Sequence, residues 1–253
     1  ETPPPAAGEA APGTDAGAGG ENRGGEGGFT EAELLALPEE PADSYSYDEA
    51  DGGIRILGSK GGLEIAVIPS KIDGKDVLQI GAGAFRYNAD LKAVVLPESV
   101  TKIGKEAFAG CLELESVAFR EEGLKEIGEK AFEACLKLSE FNLPNSVTGI
   151  GLCAFLGCAA LKQIDFPDNI TIIEAGTFGM TGLEMVKLND VVVEIGSGAF
   201  GNCVKLQSCE VPNTVLNIVE DAFANSPNVV IVASPDSYAA QYAAERGISF
   251  QAA

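Results

Sequence analysis

Apolar residues return at a regular interval along most of this chain. Seven phenylalanines recur at steps of 22 to 24 residues, namely Phe85, Phe108, Phe132, Phe155, Phe178, Phe200 and Phe223. An isoleucine stands five residues before each of them, and an aliphatic residue stands five or six residues after. Columns held in register over so many copies indicate a repeat protein, in which each copy buries its apolar face against its neighbours.

The spacing within one copy predicts two elements. In residues 138–143 a Leu-x-x-Φ-x-Leu pattern (Φ is apolar) places its apolar side chains on one face of a strand, and a proline follows, with similar apolar spacing in the other copies. The Gly-x-x-Ala-Phe pattern has helical spacing and is expected on the opposite side. Stacked copies then form a right-handed solenoid of the α/β repeat class, with a parallel β-sheet on one face and strands about 4.8 Å apart.

The full register, I-G-x-x-A-F-x-x-C-x-x-L-x-x-V-x-L-P across residues 80–233, resembles the BspA-like class of bacterial leucine-rich repeats. The resemblance implies a leucine-rich-repeat solenoid over residues 54–253. It also implies a β-rich N-terminal segment ahead of the repeats and a helix–strand cap over residues 234–253. Proteins that this chain resembles act in adhesion and host contact, so an exported or cell-surface bacterial protein is the expectation.

The segments outside the repeats carry their own signals. Residues 1–28 are dominated by Gly, Ala, Pro and Glu and have no large apolar side chain, which predicts a disordered tether. Thr30 and Glu33 form a capping-box pattern, which predicts a short helix within an acidic connector at 29–53. Ser234 and Gly247 fit the N-cap and the stop of a closing helix. The chain opens without an initiator methionine or a signal peptide, as expected of a cleaved or truncated start.

The net charge of -21 is unevenly spread along the chain. Residues 1–53 hold 13 acidic residues and one arginine, a net charge of 1 − 13 = −12, and the remaining residues hold 25 acids and 16 bases, a net charge of 16 − 25 = −9. An acidic surface repels phosphate backbones and anionic lipid headgroups, so neither nucleic acid nor a membrane surface is an expected partner. No apolar run reaches the 18 or so residues of a membrane span, so membrane insertion is not expected either.

Most of the six cysteines fall in one repeat column. The column lies three residues after each phenylalanine and predicts a ladder of small groups that hydrogen-bond inside a turn: Asn88, Cys111, Cys135, Cys158, Thr181, Cys203 and Ser226. The alternative for these thiols is a disulfide or a metal site, which parallel Cβ vectors and the absence of histidine disfavour. Cys209 falls in an apolar strand column and is expected as a small core residue. Cys153 falls in a column of solvent-tolerant residues, so it is the predicted exposed thiol.

No catalytic constellation is recognisable. The chain has no histidine, no nucleophile elbow and no phosphate-binding loop, and its acidic pairs are typical of surface charge. We therefore expect no enzyme activity, no catalytic residue, no metal ligand and no cofactor.

The outward positions of the Leu-x-x-Φ-x-Leu strands are the candidate binding face. They are small or apolar towards the N-terminal end, as at Ala93 and Val95, and polar with mixed charge towards the C-terminal end. The candidate residues are Glu140, Asn142, Gln163, Asp165, Met185, Lys187, Ser208 and Glu210. The predicted function is binding of an unknown protein or macromolecular ligand by a monomer. The alternative is a structural spacer or display scaffold with no ligand of its own.

Overall fold

The computed structural model of this chain describes residues 29–253. The predicted tether at 1–28 lies outside the described residues, as does the side chain of Glu140. In chain order the elements are α1 (Glu31–Leu35), a short 3-10 turn (Ala42–Ser44), β1 (Tyr45–Ala50), β2 (Gly53–Ser59), β3 (Ile65–Val67), β4 (Lys71–Ile72), β5 (Lys75–Ile80), β6 (Ala93–Leu96), β7 (Lys102–Ile103), β8 (Ser116–Phe119), β9 (Glu126–Ile127), β10 (Glu140–Phe141), β11 (Gly149–Ile150), β12 (Ile172–Ile173), β13 (Met185–Lys187), β14 (Glu194–Ile195), β15 (Ser208–Glu210), β16 (Asn217–Ile218), β17 (Val230–Ala233), α2 (Tyr238–Arg246) and β18 (Ser249–Ala252).

The repeats contribute short strands to two parallel rows. The first row contains β2, β5, β7, β9 and β11, followed by a separate sheet of β12, β14 and β16. The second row contains β3, β6, β8 and β10, followed by a separate sheet of β13, β15, β17 and β18. Both rows are interrupted at the same level, where residues 161–167 form no strand. The predicted parallel leucine-rich-repeat solenoid is confirmed, and its strands form two rows instead of one sheet.

The repeat phenylalanines form a continuous stack through the core. Neighbouring rings from Phe85 to Phe223 lie nearly parallel, with centroids 5.2 to 5.8 Å apart. The isoleucine column beside the stack is also buried, as at Ile103 and Ile150. Because each ring is shared between two repeats, the core is a column of interfaces and no single repeat could bury its own apolar face.

The Gly-x-x-Ala-Phe segments are consecutive turns, so their prediction as helical is corrected. Around Phe155, Cys153 has φ 55° and Gly157 has φ 79°, and left-handed residues flank the other phenylalanines in the same positions, except that Asp221 before Phe223 is not left-handed. A residue in the left-handed region cannot continue a right-handed helix. The apolar spacing is helical, but the backbone turns back twice within each copy.

The segment before residue 54 is part of the folded unit. β1 pairs antiparallel with β2, and Tyr45 is fully buried and packs edge-on against Phe85. The predicted boundary between the acidic connector and the solenoid, at residue 54, therefore falls inside the β1–β2 hairpin. A helix is present at the capping box, where Thr30 and Glu33 satisfy each other's backbone groups.

The C-terminal cap consists of α2 and β18. Ser237, and not the predicted Ser234, is the N-cap of α2, since its side chain accepts a hydrogen bond from the Ala240 amide at 3.1 Å. Ser234 instead closes a turn, in which its carbonyl accepts from the Ser237 amide. Gly247 ends the helix in the left-handed conformation, and β18 pairs in parallel with β17.

Candidate binding surface

A groove of about 690 Å³ lies on the outward side of the second row, where the row is interrupted. Six predicted face residues line it together: Gln163, Asp165, Met185, Lys187, Ser208 and Glu210. Asn142 lines an adjoining recess of about 170 Å³ with Gln163 and Asp165. Glu140 lies in β10 next to this recess along the chain. The strand columns thus place these positions on one continuous surface.

An exposed apolar side chain lies among charges of both signs in this groove. Met185 is 68% exposed, and Lys187 and Glu210 from the next repeat form an ion pair at 3.4 Å. Lys162, Glu184 and Asp165 supply further charge at the rim. Solvent screens such exposed pairs, so this pair contributes about 0–1 kcal/mol to stability. Its charges remain available to a partner.

The interruption coincides with a change in the glycine column of the first row. After β7, β9, β11 and β14 comes a glycine whose added Cβ would lie within 3.0 Å of the preceding repeat's backbone. After β12 the residue is Glu174, and β12 does not pair with β11. The turn side stays bonded, since the Phe155 amide donates to the Thr177 carbonyl at 2.9 Å. The solenoid is therefore loosened on its strand rows and continuous on its turns.

The N-terminal half of the same face is covered by the chain itself. Residues 29–37, called the cover below, pack on the outward side chains of β6 and β8. Leu34 is fully buried against a separate apolar cluster that contains Val67, Ala93, Val95 and Ala118. The outward positions predicted as a small apolar surface are thus buried beneath a helix.

Polar contacts hold the two ends of the cover. The Arg120 guanidinium donates to the Leu35 carbonyl at 3.1 Å and to the Leu37 carbonyl at 2.7 Å. The Asn142 amide donates to the Glu31 carboxylate at 3.1 Å, at the border with the open groove. The face therefore has a covered half and an open half that meet at Asn142.

The ladder column links each repeat to the preceding one. Five of its side chains donate to a phenylalanine carbonyl of the preceding repeat, at 2.7 to 3.2 Å: Cys111, Cys135, Cys158, Cys203 and Ser226. Thr181 donates to the Phe178 carbonyl of its own repeat, and Asn88, in the first copy, accepts from the Asp90 amide. Burial raises the pKa of the Cys111 thiol to about 11 and that of Cys158 to about 12, so these thiols are neutral donors at physiological pH.

Cys153 differs from the other five cysteines in its exposure. It is half-buried, whereas the others, Cys209 included, are buried. Its thiol has one weak contact, with the Ala175 carbonyl at 3.7 Å. Partial burial raises its pKa, and nearby Lys130 partly offsets the effect.

We expect Cys153 to react first with a thiol reagent in the native protein. Because the thiolate is the reactive form and the pKa is raised, the rate should stay below that of a free cysteine at neutral pH and increase about tenfold per pH unit until the pKa is reached. Mass spectrometry after pulsed labelling measures both effects. Cys153→Ser should abolish the fast reaction, and labelling of any other cysteine before unfolding would contradict the assignment.

Neither a metal cluster nor a membrane-spanning helix occurs in the part of the chain that the structure describes. Residues 29–253 contain no group of three or more potential metal-ligating side chains. Within the same range, no helix is both long and apolar enough to cross a bilayer.

Sequence reasoning missed two parts of this surface. Ser139, Lys162 and Glu184 line the groove from the position just before the outward columns. These residues occupy the position directly after the first leucine of each strand pattern, and reading that position in every repeat would have identified them. The cover was also missed, although Leu34, Leu35 and Leu37 stand out as large apolar residues in the predicted acidic connector.

Comparison with known proteins identifies the fold family. The model of the BspA type leucine rich repeat region matches residues 78–203 and 177–242, with six copies. The chain is similar to the crystal structure of a T. pallidum leucine rich repeat protein, with 26% identity, a TM-score of 0.56, and coverage of 85% of this chain and 98% of that one. It shares the fold of the pneumococcal vaccine antigen PcpA, with 18% identity, a TM-score of 0.51, and coverage of 75% and 62%. No curated protein matches. The chain belongs to the BspA-type leucine-rich repeat family.

Proposed function

We propose that this chain is an exported or cell-surface bacterial module that binds a protein partner through the open groove of the second row. The observation that carries the proposal is Met185, which is exposed in a groove of about 690 Å³ with charges of both signs at its rim. Protein interfaces concentrate binding energy in an apolar anchor surrounded by polar groups that exclude water. The family membership supports the surface location.

The chemistry of the groove favours a protein surface over other ligands. Lys162 and Lys187 face Asp165, Glu184 and Glu210, so a partner would need complementary charges of both signs. A polyanion would meet the net negative charge of this rim. The groove lining contains no aromatic side chain of the kind that stacks on sugars or bases.

We expect Met185→Asp and Lys187→Glu each to weaken binding at least about tenfold, because a desolvated anchor and a charge pair are lost from the contact. The assay is an array of extracellular-matrix proteins, host-cell surface proteins and glycans, followed by titration of each positive component against the full chain.

Lys102→Glu is the matched control. Lys102 lies in the first row and pairs with Glu126 of the next repeat at 2.7 Å, as Lys187 pairs with Glu210. It should leave binding unchanged. A saturable partner that is insensitive to both groove variants would assign binding to another surface. The absence of any saturable partner would favour the spacer alternative.

A further inference from the structure

The covered half of the outer face has the properties of a peptide-binding site that is filled by the chain's own residues 29–37. The apolar cluster beneath the cover contains no residue of the main core cluster. Leu34 fills its centre, and Phe29, Leu35 and Leu37 pack at its edges. The cover therefore makes no contribution to the core cluster that contains the phenylalanine stack.

The fit beneath the cover is incomplete. The Ser116 hydroxyl is buried, with 7% of the residue exposed, and has no hydrogen-bond partner. It lines a gap of about 10 Å³ between Leu34 and β8, a space at the lower limit for one water molecule. The Arg120 Nε is a second buried donor without a partner. Buried polar atoms without hydrogen-bond partners are unfavourable. The cover is therefore held less tightly than a segment that satisfied both of these donors would be.

The cover also has little structure of its own. α1 is five residues long, far below the length at which a helix is stable in isolation. Its attachment depends on Leu34, the Arg120 donors and the Asn142–Glu31 hydrogen bond. Elements held by few buried apolar contacts open at low free-energy cost.

We propose that this half of the face is a second partner site, which accepts a short leucine-bearing helical segment of another protein after the cover detaches. The contacts that the cover makes indicate what such a partner segment must contain. A leucine inserts above Ala93, Val95 and Ala118, and free carbonyls at the helix C-terminus accept from Arg120. A better ligand would in addition bond the Ser116 hydroxyl. This site is separate from the open groove and does not depend on the function proposed for it.

The test uses a fluorescent synthetic peptide of residues 29–40 and the full chain carrying Leu34→Asp. A buried charge should detach the cover in cis and leave the site open, so the peptide is expected to bind this variant. The unchanged chain should bind it at least about tenfold more weakly, because the tethered segment competes at millimolar effective concentration. Ala32→Asp places the same charge on the exposed side of α1 and should behave like the unchanged chain.

Several outcomes would overturn the proposal. One is a folded Leu34→Asp chain that does not bind the peptide. Another is an unchanged chain that binds the peptide as tightly as the Leu34→Asp chain does. A concentration-dependent dimer of the unchanged chain would assign the site to a second copy instead.

Hydrogen exchange on the unchanged chain is an independent measurement that needs no variant. The amides of residues 34–37 should exchange at least about tenfold faster than those of β7 and β9, and equal protection would contradict a detachable cover.

Discussion

Replacement of Phe155 by alanine is expected to lower the free energy of unfolding by about 3–5 kcal/mol. The ring is fully buried and stacks on Phe132 at 5.3 Å and on Phe178 at 5.5 Å, while Phe141 packs edge-on at 4.9 Å. The alanine would leave a cavity between the fourth and fifth repeats. Both strand rows are already interrupted there, so the ring is a principal contact between the two halves of the solenoid.

Urea denaturation monitored by circular dichroism measures this effect. The transition of the Phe155→Ala chain should shift to lower urea, and it should broaden or split if the two halves unfold separately, since each repeat contacts only its neighbours. Leu152→Ala is the control: the side chain is 44% exposed in the same turn, and its removal should change stability by less than about 0.5 kcal/mol. A single sharp transition at the original urea concentration would contradict the role assigned to the ring.

The features that the sequence predicts well are those repeated in every copy. The stack from Phe85 to Phe223 and the buried isoleucine column follow from period alone, because a residue type kept at one position over seven copies must meet its own copies in a stacked structure. The outward columns that line the groove follow from the alternation of side chains along a strand. Neighbouring repeats supply the same information again, so an error in one copy is corrected by the others.

The features that the sequence does not predict occur once. The cover contacts β8 and the Arg120 that follows it, and more than 80 residues separate Arg120 from Leu35 and Leu37. No periodic signal marks that pairing. The sequence also does not predict the two turns around each phenylalanine. Glu106, Lys130 and Cys153 adopt a left-handed backbone conformation that their residue types do not favour. Stacking against the neighbouring turns determines the conformation there, and local preference does not.

The glycine of the Ile-Gly pair has a steric cause that connects sequence and groove. Gly104, Gly128 and Gly151 each approach the backbone of the preceding repeat so closely that a Cβ would lie 2.6 to 2.7 Å from a backbone atom. The column has two exceptions in the repeats. Glu174 coincides with the interruption of both rows. Val219 follows β16, which still pairs with β14, and its amide donates to the Ile195 carbonyl at 2.9 Å. The turn after Val219 is also the one in which the residue two before the phenylalanine, Asp221, is not left-handed. A larger residue at this position is therefore tolerated where the adjoining turn is different.

Gly151→Val is accordingly expected to lower the free energy of unfolding by about 1–3 kcal/mol, through overpacking against the backbone of Gly128 and Glu129. The hydrogen bond from the residue 151 amide to the Ile127 carbonyl, now 2.8 Å, should lengthen, and that amide should lose protection from hydrogen exchange. Gly149→Val is the matched control: an added Cβ there meets nothing within 4 Å, and a β-branched residue suits a strand, so stability should be unchanged or higher. If both variants lost equal stability, strand propensity and not contact between repeats would explain the glycine column. If Gly151→Val alone loses stability and protection, close contact with the preceding repeat explains the glycine at this position.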